Sequence, residues 1–290
     1  MTASARPASS ARIWLGPLMM LGGAIAIGFA PIGLRLSHFG PQATAFWRFI
    51  FALPMLAALI YGLGGRIGRP SLFAIVSGVF FGVDIALWHT SLKLTSVANA
   101  TFLVNLGSAS VGLIAWVALK ERPHRIWIIA APIALTGALL LSRGAGSISE
   151  GTLAGDLLAL GAAVMVSLSI FFTKLARRAE TGLHILFWAT IAEAVVAAIA
   201  SGVTRESLIP PDASWLLAPL ALAAIAHSTG QALIAVGVGR TPAAAAGVLL
   251  LVQPVTSAIL AWRLFGEVLT PVQIAGAALV LLGVWLAGRR

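Results

Sequence analysis

The chain has 290 residues, 10% of them charged and 59% hydrophobic, with a mean hydropathy of +0.99. Soluble domains are nearer a quarter charged, so a water-facing surface cannot be assembled from this composition, and disorder requires the opposite bias. The net charge of +10 sits in short clusters between long apolar runs, a pattern of membrane-helix ends and not of a nucleic-acid groove.

A membrane-crossing helix needs about 20 apolar residues. Ten runs satisfy this in chain order: 13–34, 41–63, 71–92, 97–119, 126–142, 153–175, 183–203, 215–237, 242–265 and 272–288. Most breaks are short, such as Gly64-Gly65-Arg66 and Lys120-Glu121-Arg122-Pro123; only 144–152 and 204–214 are polar enough to exceed a tight turn. No loop could hold a soluble domain. The reading is therefore an all-α integral membrane protein, one domain over 1–290. Period-two strands of an outer-membrane barrel do not fit. The first run is longer than the roughly 7–15 residues of a signal-peptide core, so it is expected to be a retained span.

With a cytoplasmic N-terminus, the inner side collects Arg6, Arg12, Arg66, Arg69, Lys120, Arg122, Arg125, Lys174, Arg177, Arg178, Arg240, Arg289 and Arg290. The outer side collects Arg35, Lys93, Arg143, Arg205 and Arg263, and Arg48 is left within a span. That imbalance places both termini in the cytoplasm.

Self-comparison reveals a repeat. An offset of 146 aligns AWVALKE (115–121) with AWRLFGE (261–267) and Thr95 with Thr241. Nearer the start the offset becomes 141, pairing Phe46-Trp47 with Phe187-Trp188. The repeats are read as 13–143 and 153–289. Five spans is an odd number, so the second copy is expected upside down, the arrangement of secondary transporters whose sites lie near the midplane.

Polar residues within spans are costly and are functional candidates. Asp84 and Trp88, one turn apart on the third span, put a carboxylate and an indole on one wall. His89 lies beside them, as a proton carrier or as a histidine satisfied by backbone. Asn105, His227, Gln231 and Gln253 could add polar lining or simply join helices by hydrogen bonds. Arg48 and Glu193, on spans two and seven, are read as an ion pair or gate, with Arg48–Asp84 as the competing pair. Glu121 and Glu267 recur at the ends of spans four and nine and are read as structural caps of the next helix. Spans five and ten have no Asp, Glu, His, Asn or Lys in their apolar stretch and are expected to be peripheral. Pro31, Pro54, Pro132, Pro219 and Pro254 lie within spans and can kink their helices, with Pro254, directly after Gln253, the best placed to shape a central site. With no cysteine, thiolate chemistry is excluded. No P-loop, HExxH or GxSxG is present, so no catalytic residue, metal or cofactor is expected.

Over essentially its whole length the chain resembles the drug/metabolite transporter superfamily, in its ten-helix EamA-type branch. The residues that carry the likeness are ALWHTSLKLTSVANATFLVNL (86–106), the paired Glu121 and Glu267, LLLVQPV with Pro254, and GEVLTPVQIAGAALVLLGVWL (266–286). The first repeat departs at LKERPHRIW (119–127), although Gly137 is retained. The resemblance implies a bacterial inner-membrane exporter of small metabolites, amino acids foremost, as monomer or homodimer. Protons and the lipid bilayer are its further expected partners. A passive channel and an intramembrane enzyme are the alternatives; Asp84 and His89 are in the wrong helical register to act together as acid and base.

Overall fold

The structure, a computed structural model, describes residues 10–95, 97–120, 122–143 and 152–288. Among them every regular element is helical: α1 (Ser10–Ile27), α2 (Ala30–Leu36), α3 (Pro41–Gly62), α4 (Leu72–Ser91), α5 (Val97–Leu119), α6 (Trp127–Arg143), α7 (Leu153–Ala176), α8 (Gly182–Thr204), α9 (Leu217–Leu222), α10 (Ala232–Val238), α11 (Ala243–Leu250), α12 (Val252–Phe265) and α13 (Pro271–Gly288). A 3-10 turn at Ala213–Leu216 precedes α9, and a π-helical segment at Ala223–Gln231 joins α9 to α10. Nine apolar stretches of the described chain are at least 18 residues long, and Trp127–Ser142 is a shorter tenth. These are the ten runs read from the sequence, and the protein is an all-α integral membrane protein.

Three of the ten are broken, and two breaks have a covalent cause. Proline has no amide hydrogen to give the carbonyl four residues earlier. Pro31 therefore cannot bond Ile27, where α1 ends, and Pro254 cannot bond Leu250, where α11 ends. The two breaks meet. Ser257 Oγ donates to the Gly28 carbonyl at 2.7 Å, and a Cβ on Gly28 would lie 3.0 Å from the Gln253 carbonyl oxygen. Only glycine permits that approach. The third break is the π segment, where Thr229 Oγ1 donates to the Ala224 carbonyl five residues back at 2.9 Å.

Helix starts follow side-chain caps. The hydroxyls of Ser71, Thr152 and Thr181 accept from the amides of Ala74, Gly155 and His184. Past the end of α12, Gly266 adopts φ 69°, the left-handed conformation that stops a helix without strain.

Packing repeats under exchange of each span for the one five later. Span three packs on span six as span one packs on span eight; span three packs on seven as eight packs on two; span four packs on six as nine packs on one. Spans two and seven pack on each other, as do five and ten. The same exchange relates two hydrogen bonds. Trp47 Nε1 donates to the Leu208 carbonyl at 2.9 Å, and Trp188 Nε1 donates to the Gly68 carbonyl at 3.2 Å.

Candidate functional site

The faces that the packed spans leave apart enclose a cavity of about 880 Å³. Its mouth is edged by Arg35 and Glu267, half-exposed side chains that form an ion pair, with the Arg35 guanidinium 4.1 Å above the Phe265 ring. Its floor is set by α4 and α7, where the buried Ser77 Oγ meets Thr173 Oγ1 at 2.6 Å and donates to the Ser169 carbonyl at 3.0 Å. Ile185 and Val238, 1% and 0% exposed, close it there. Among the described residues the exposed lining, Arg35, Glu267 and Val268, thus lies on the side of the loops bearing Arg35, Lys93, Arg205 and Arg263.

Asp84, Trp88, Asn105, Gln231 and Gln253 line this cavity, as do Arg48 and Glu193. Asp84 and Trp88 do share a wall of α4, as their spacing requires. The Asp84 side chain is buried, and no hydrogen-bond donor among the described residues reaches its carboxylate. Trp88 Nε1 is likewise buried without a partner. Asn105 is partly satisfied, its Nδ2 donating to the Thr101 carbonyl at 2.8 Å.

His89 and His227 are not among the lining residues. His89 points away from the cavity and lies against the Pro41 backbone, since adjacent helical residues diverge by about 100°. His227 is wholly buried behind the wall, edge-on to Phe49 with ring centroids 5.2 Å apart. The expectation that it would line the cavity beside Gln231 assumed α-helical register. The segment that holds both is π-helical, and it turns Gln231 to the cavity and His227 to the helix interface.

His227 also replaces the expected Arg48–Glu193 bridge. No ion pair within 4.0 Å joins Arg48 to Glu193 or to Asp84, although all three lie close enough to interact electrostatically. Instead Arg48 Nη2 is 3.5 Å from His227 Nδ1, and His227 Nε2 is 2.7 Å from Thr190 Oγ1 and 3.5 Å from Glu193 Oε2. Thr190 spends its only hydrogen on the Leu186 carbonyl at 2.7 Å. It must then accept from His227, which fixes the proton on Nε2 and leaves the Nδ1 lone pair for Arg48. The ring is held as a neutral imidazole between the two charges. Glu193 Oε2 and Arg48 Nε have no hydrogen-bond partner.

Two further expectations change. Glu267 does not cap α13. Thr270 and Gln273 do so reciprocally: the Thr270 amide donates to Gln273 Oε1 at 2.9 Å, and the Gln273 amide to Thr270 Oγ1 at 3.3 Å. This is a capping box with proline at the first helical position, legible in Thr270-Pro271-Val272-Gln273. Glu121 lies outside the described residues. Spans five and ten, expected at the periphery, reach the cavity through Ala138, Leu141 and Ser142 on α6 and Gln273 on α13. The floor hydroxyls and Thr190 were missed, because serine and threonine on apolar helices have no pattern of their own; they usually bond their own helix.

Among the described residues no group of three or more His, Asp or Glu could hold a metal ion. What remains is a bundle of membrane helices with broken spans crossing beside a cavity that holds buried charges, an architecture of solute carriers. Comparison with known proteins gives the family. The EamA-like transporter family matches residues 14–143 and again 153–289, and the chain belongs to it. The uncharacterized transporter YwfM of Bacillus subtilis is 32% identical over 206 residues, 68% of this chain and 67% of the relative. A probable amino-acid metabolite efflux pump of Salmonella typhimurium is 25% identical over 282 residues, 90% of this chain and 89% of its own. One solved crystal structure superposes with a TM-score of 0.82 at 20% identity, covering 94% of this chain and 96% of the other, a likeness of fold.

Proposed function

We propose that this protein is a secondary transporter that exports small metabolites, amino acids foremost, across the bacterial inner membrane by alternating access, with both termini cytoplasmic. The observation that carries the reading is the Asp84 carboxylate, buried, without a hydrogen-bond donor among the described residues and facing the cavity beside Trp88. An unpaired charge at membrane depth requires a counterpart. An ammonium group meets the carboxylate, a ring or apolar side chain lies along Trp88, and Arg48 is at hand for a carboxylate. The volume of about 880 Å³ falls among small-molecule sites, roughly 300–1,000 Å³. Support for an inverted repeat comes from the span-for-span exchange of packing, and support for export from the Salmonella relative, a probable efflux pump.

The test is counterflow of labelled amino acids in proteoliposomes. A carrier gives saturable accumulation driven by unlabelled substrate inside, and a channel gives none. Trp88→Ala should weaken exchange of aromatic substrates, and Asp84→Asn should change transport or its pH dependence. Wild-type rates and pH profiles in both folded variants would remove the site from this cavity. Reporters fused to each end test the orientation.

A further inference from the structure

The cavity wall holds one cation and two anions. Arg48 on α3, Asp84 on α4 and Glu193 on α8 all line it and are 6%, 5% and 3% exposed. Among the described residues the other titratable groups facing them are accounted for. On the π segment, His227 is neutral by its hydrogen bonds, with Nε2 donating to Thr190 and Nδ1 turned to Arg48. On α4, His89 faces the Pro41 backbone, and beyond it Lys93 is matched by Glu206 at 3.1 Å. With all three groups ionised, the set has a net charge of −1.

A surplus charge buried in a low-dielectric wall is strongly unfavourable, and among the described residues the nearest donor to either carboxylate is His227 Nε2, 3.5 Å from Glu193 Oε2 and bonded to Thr190 instead. Among the described residues neither Glu193 Oε2 nor the Asp84 carboxylate has a hydrogen-bond partner. The counterpart must come through the cavity.

We infer that Asp84 and Glu193, arranged around Arg48, form an exchangeable cation site in which a proton and a monocationic ammonium ligand compete. When the cavity is empty, one carboxylate is protonated and the set is neutral. When a monocation enters, that carboxyl O–H bond breaks, its proton leaves to cavity water, and the ligand's charge replaces it. A zwitterion brings no net charge, so it enters without displacing the proton. The protein therefore exchanges monocations for protons one to one and passes zwitterions uncoupled. This rests on the cavity being the substrate site, and the experiment separates the two claims.

The full-length protein in detergent, in a weakly buffered solution with a pH-sensitive dye, is titrated with phenyltrimethylammonium, a cation with no proton of its own, and with phenylalanine. The expected result is one proton released per phenyltrimethylammonium bound and none per phenylalanine. By linkage, cation affinity then tightens about tenfold per pH unit wherever the empty site holds its proton. Glu193→Gln leaves one carboxylate against one guanidinium, and cation binding to it should release no proton. Binding of the cation without proton release in the wild type, proton release with phenylalanine, or a full proton still released by Glu193→Gln overturns the charge count alone. Failure of both ligands to bind at millimolar concentration overturns the cavity reading as well. Should the variant not fold, the wild-type ratio of protons to ligand still decides.

Discussion

Replacing His227 by leucine, a residue of similar volume, tests whether the ring holds the charged wall together. It removes the 2.7 Å bond to Thr190 and takes from Arg48 its only acceptor among the described residues, at 3.5 Å. Thr190 keeps its own bond to Leu186, so that side loses little. One interhelical hydrogen bond in a membrane protein contributes about 0.6 kcal/mol and at most about 1.7. Orphaning a charged donor adds about 1–3 kcal/mol, toward the low end here because Arg48 also faces the cavity. The sum is about 2 kcal/mol. Thr190→Val removes one acceptor and leaves the imidazole N–H facing Glu193 Oε2 at 3.5 Å, so it should cost only about 0.6 kcal/mol. The double variant should be less destabilised than the sum, since both act through one ring. Unfolding in mixed micelles titrated with SDS measures all three. If Thr190→Val costs as much as His227→Leu, or the two simply add, His227 is not the shared partner and the assigned tautomer is wrong.

Three other outcomes follow from the packing and the loops. Gly247→Leu should destabilise by more than about 1–3 kcal/mol, because even a Cβ there overlaps the Ser108 carbonyl oxygen where α11 crosses α5, and a chemical unfolding curve would show it. Arg35→Gln should shift stability by less than about 1 kcal/mol, since both members of that pair are half-exposed; a larger loss in the same curve would mean that the mouth is a structural lock. Asp212 is held below the ordinary carboxylate range by hydrogen bonds from the Ser214 hydroxyl and amide. Its folded value is the lower one, so its contribution is present at neutral pH and lost as pH falls through that value. Asp212→Asn should flatten the acid limb of the stability–pH profile, and an unchanged limb would refute the cap.

The ten spans were legible because a membrane helix announces itself by length and composition alone. The breaks at Ile27 and Leu250 were only partly so: Pro31 and Pro254 each cancel one hydrogen bond, but Pro54 and Pro132 do the same inside helices that continue. The wall of α4 was legible because Asp84 and Trp88 lie on a regular helix, where spacing gives direction. His227 was misplaced for the converse reason. Its spacing from Gln231 means one thing in an α-helix and another in a π-helix, and no residue in Ala223–Gln231 announces the change. The Arg48–Glu193 pair was a guess from charge alone. Charge says that each needs a partner, while the partner's identity depended on where a third helix placed a neutral ring. Glu267 shows the same limit, because recurrence in two repeats marked it as structural without saying which contact it makes.

The repeat separates scaffold from site more sharply than either was read alone. Residues that recur across the two halves make equivalent contacts. Trp47 and Trp188 each tie a loop of the other half, and Thr95 and Thr241 pack against Gly155 and Gly16, where an added Cβ would lie 2.9 Å and 2.8 Å away. The charged and polar residues of the wall, and His227 behind it, have no such twins. At the offset of 141 that pairs the two tryptophans, Arg48 falls opposite Ala189 and Glu193 opposite Ala52. At 146, Asp84 falls opposite Gly230, His227 opposite Phe81 and Gln253 opposite Gly107. An exchange of halves can therefore preserve the helix contacts while it cannot preserve the electrostatics. The helix contacts are repeated in the two halves, whereas the charged wall is built on one side of the exchange only. Symmetry in the packing and asymmetry in the cavity are thus separate requirements, which is why self-comparison of the sequence finds the first and is blind to the second.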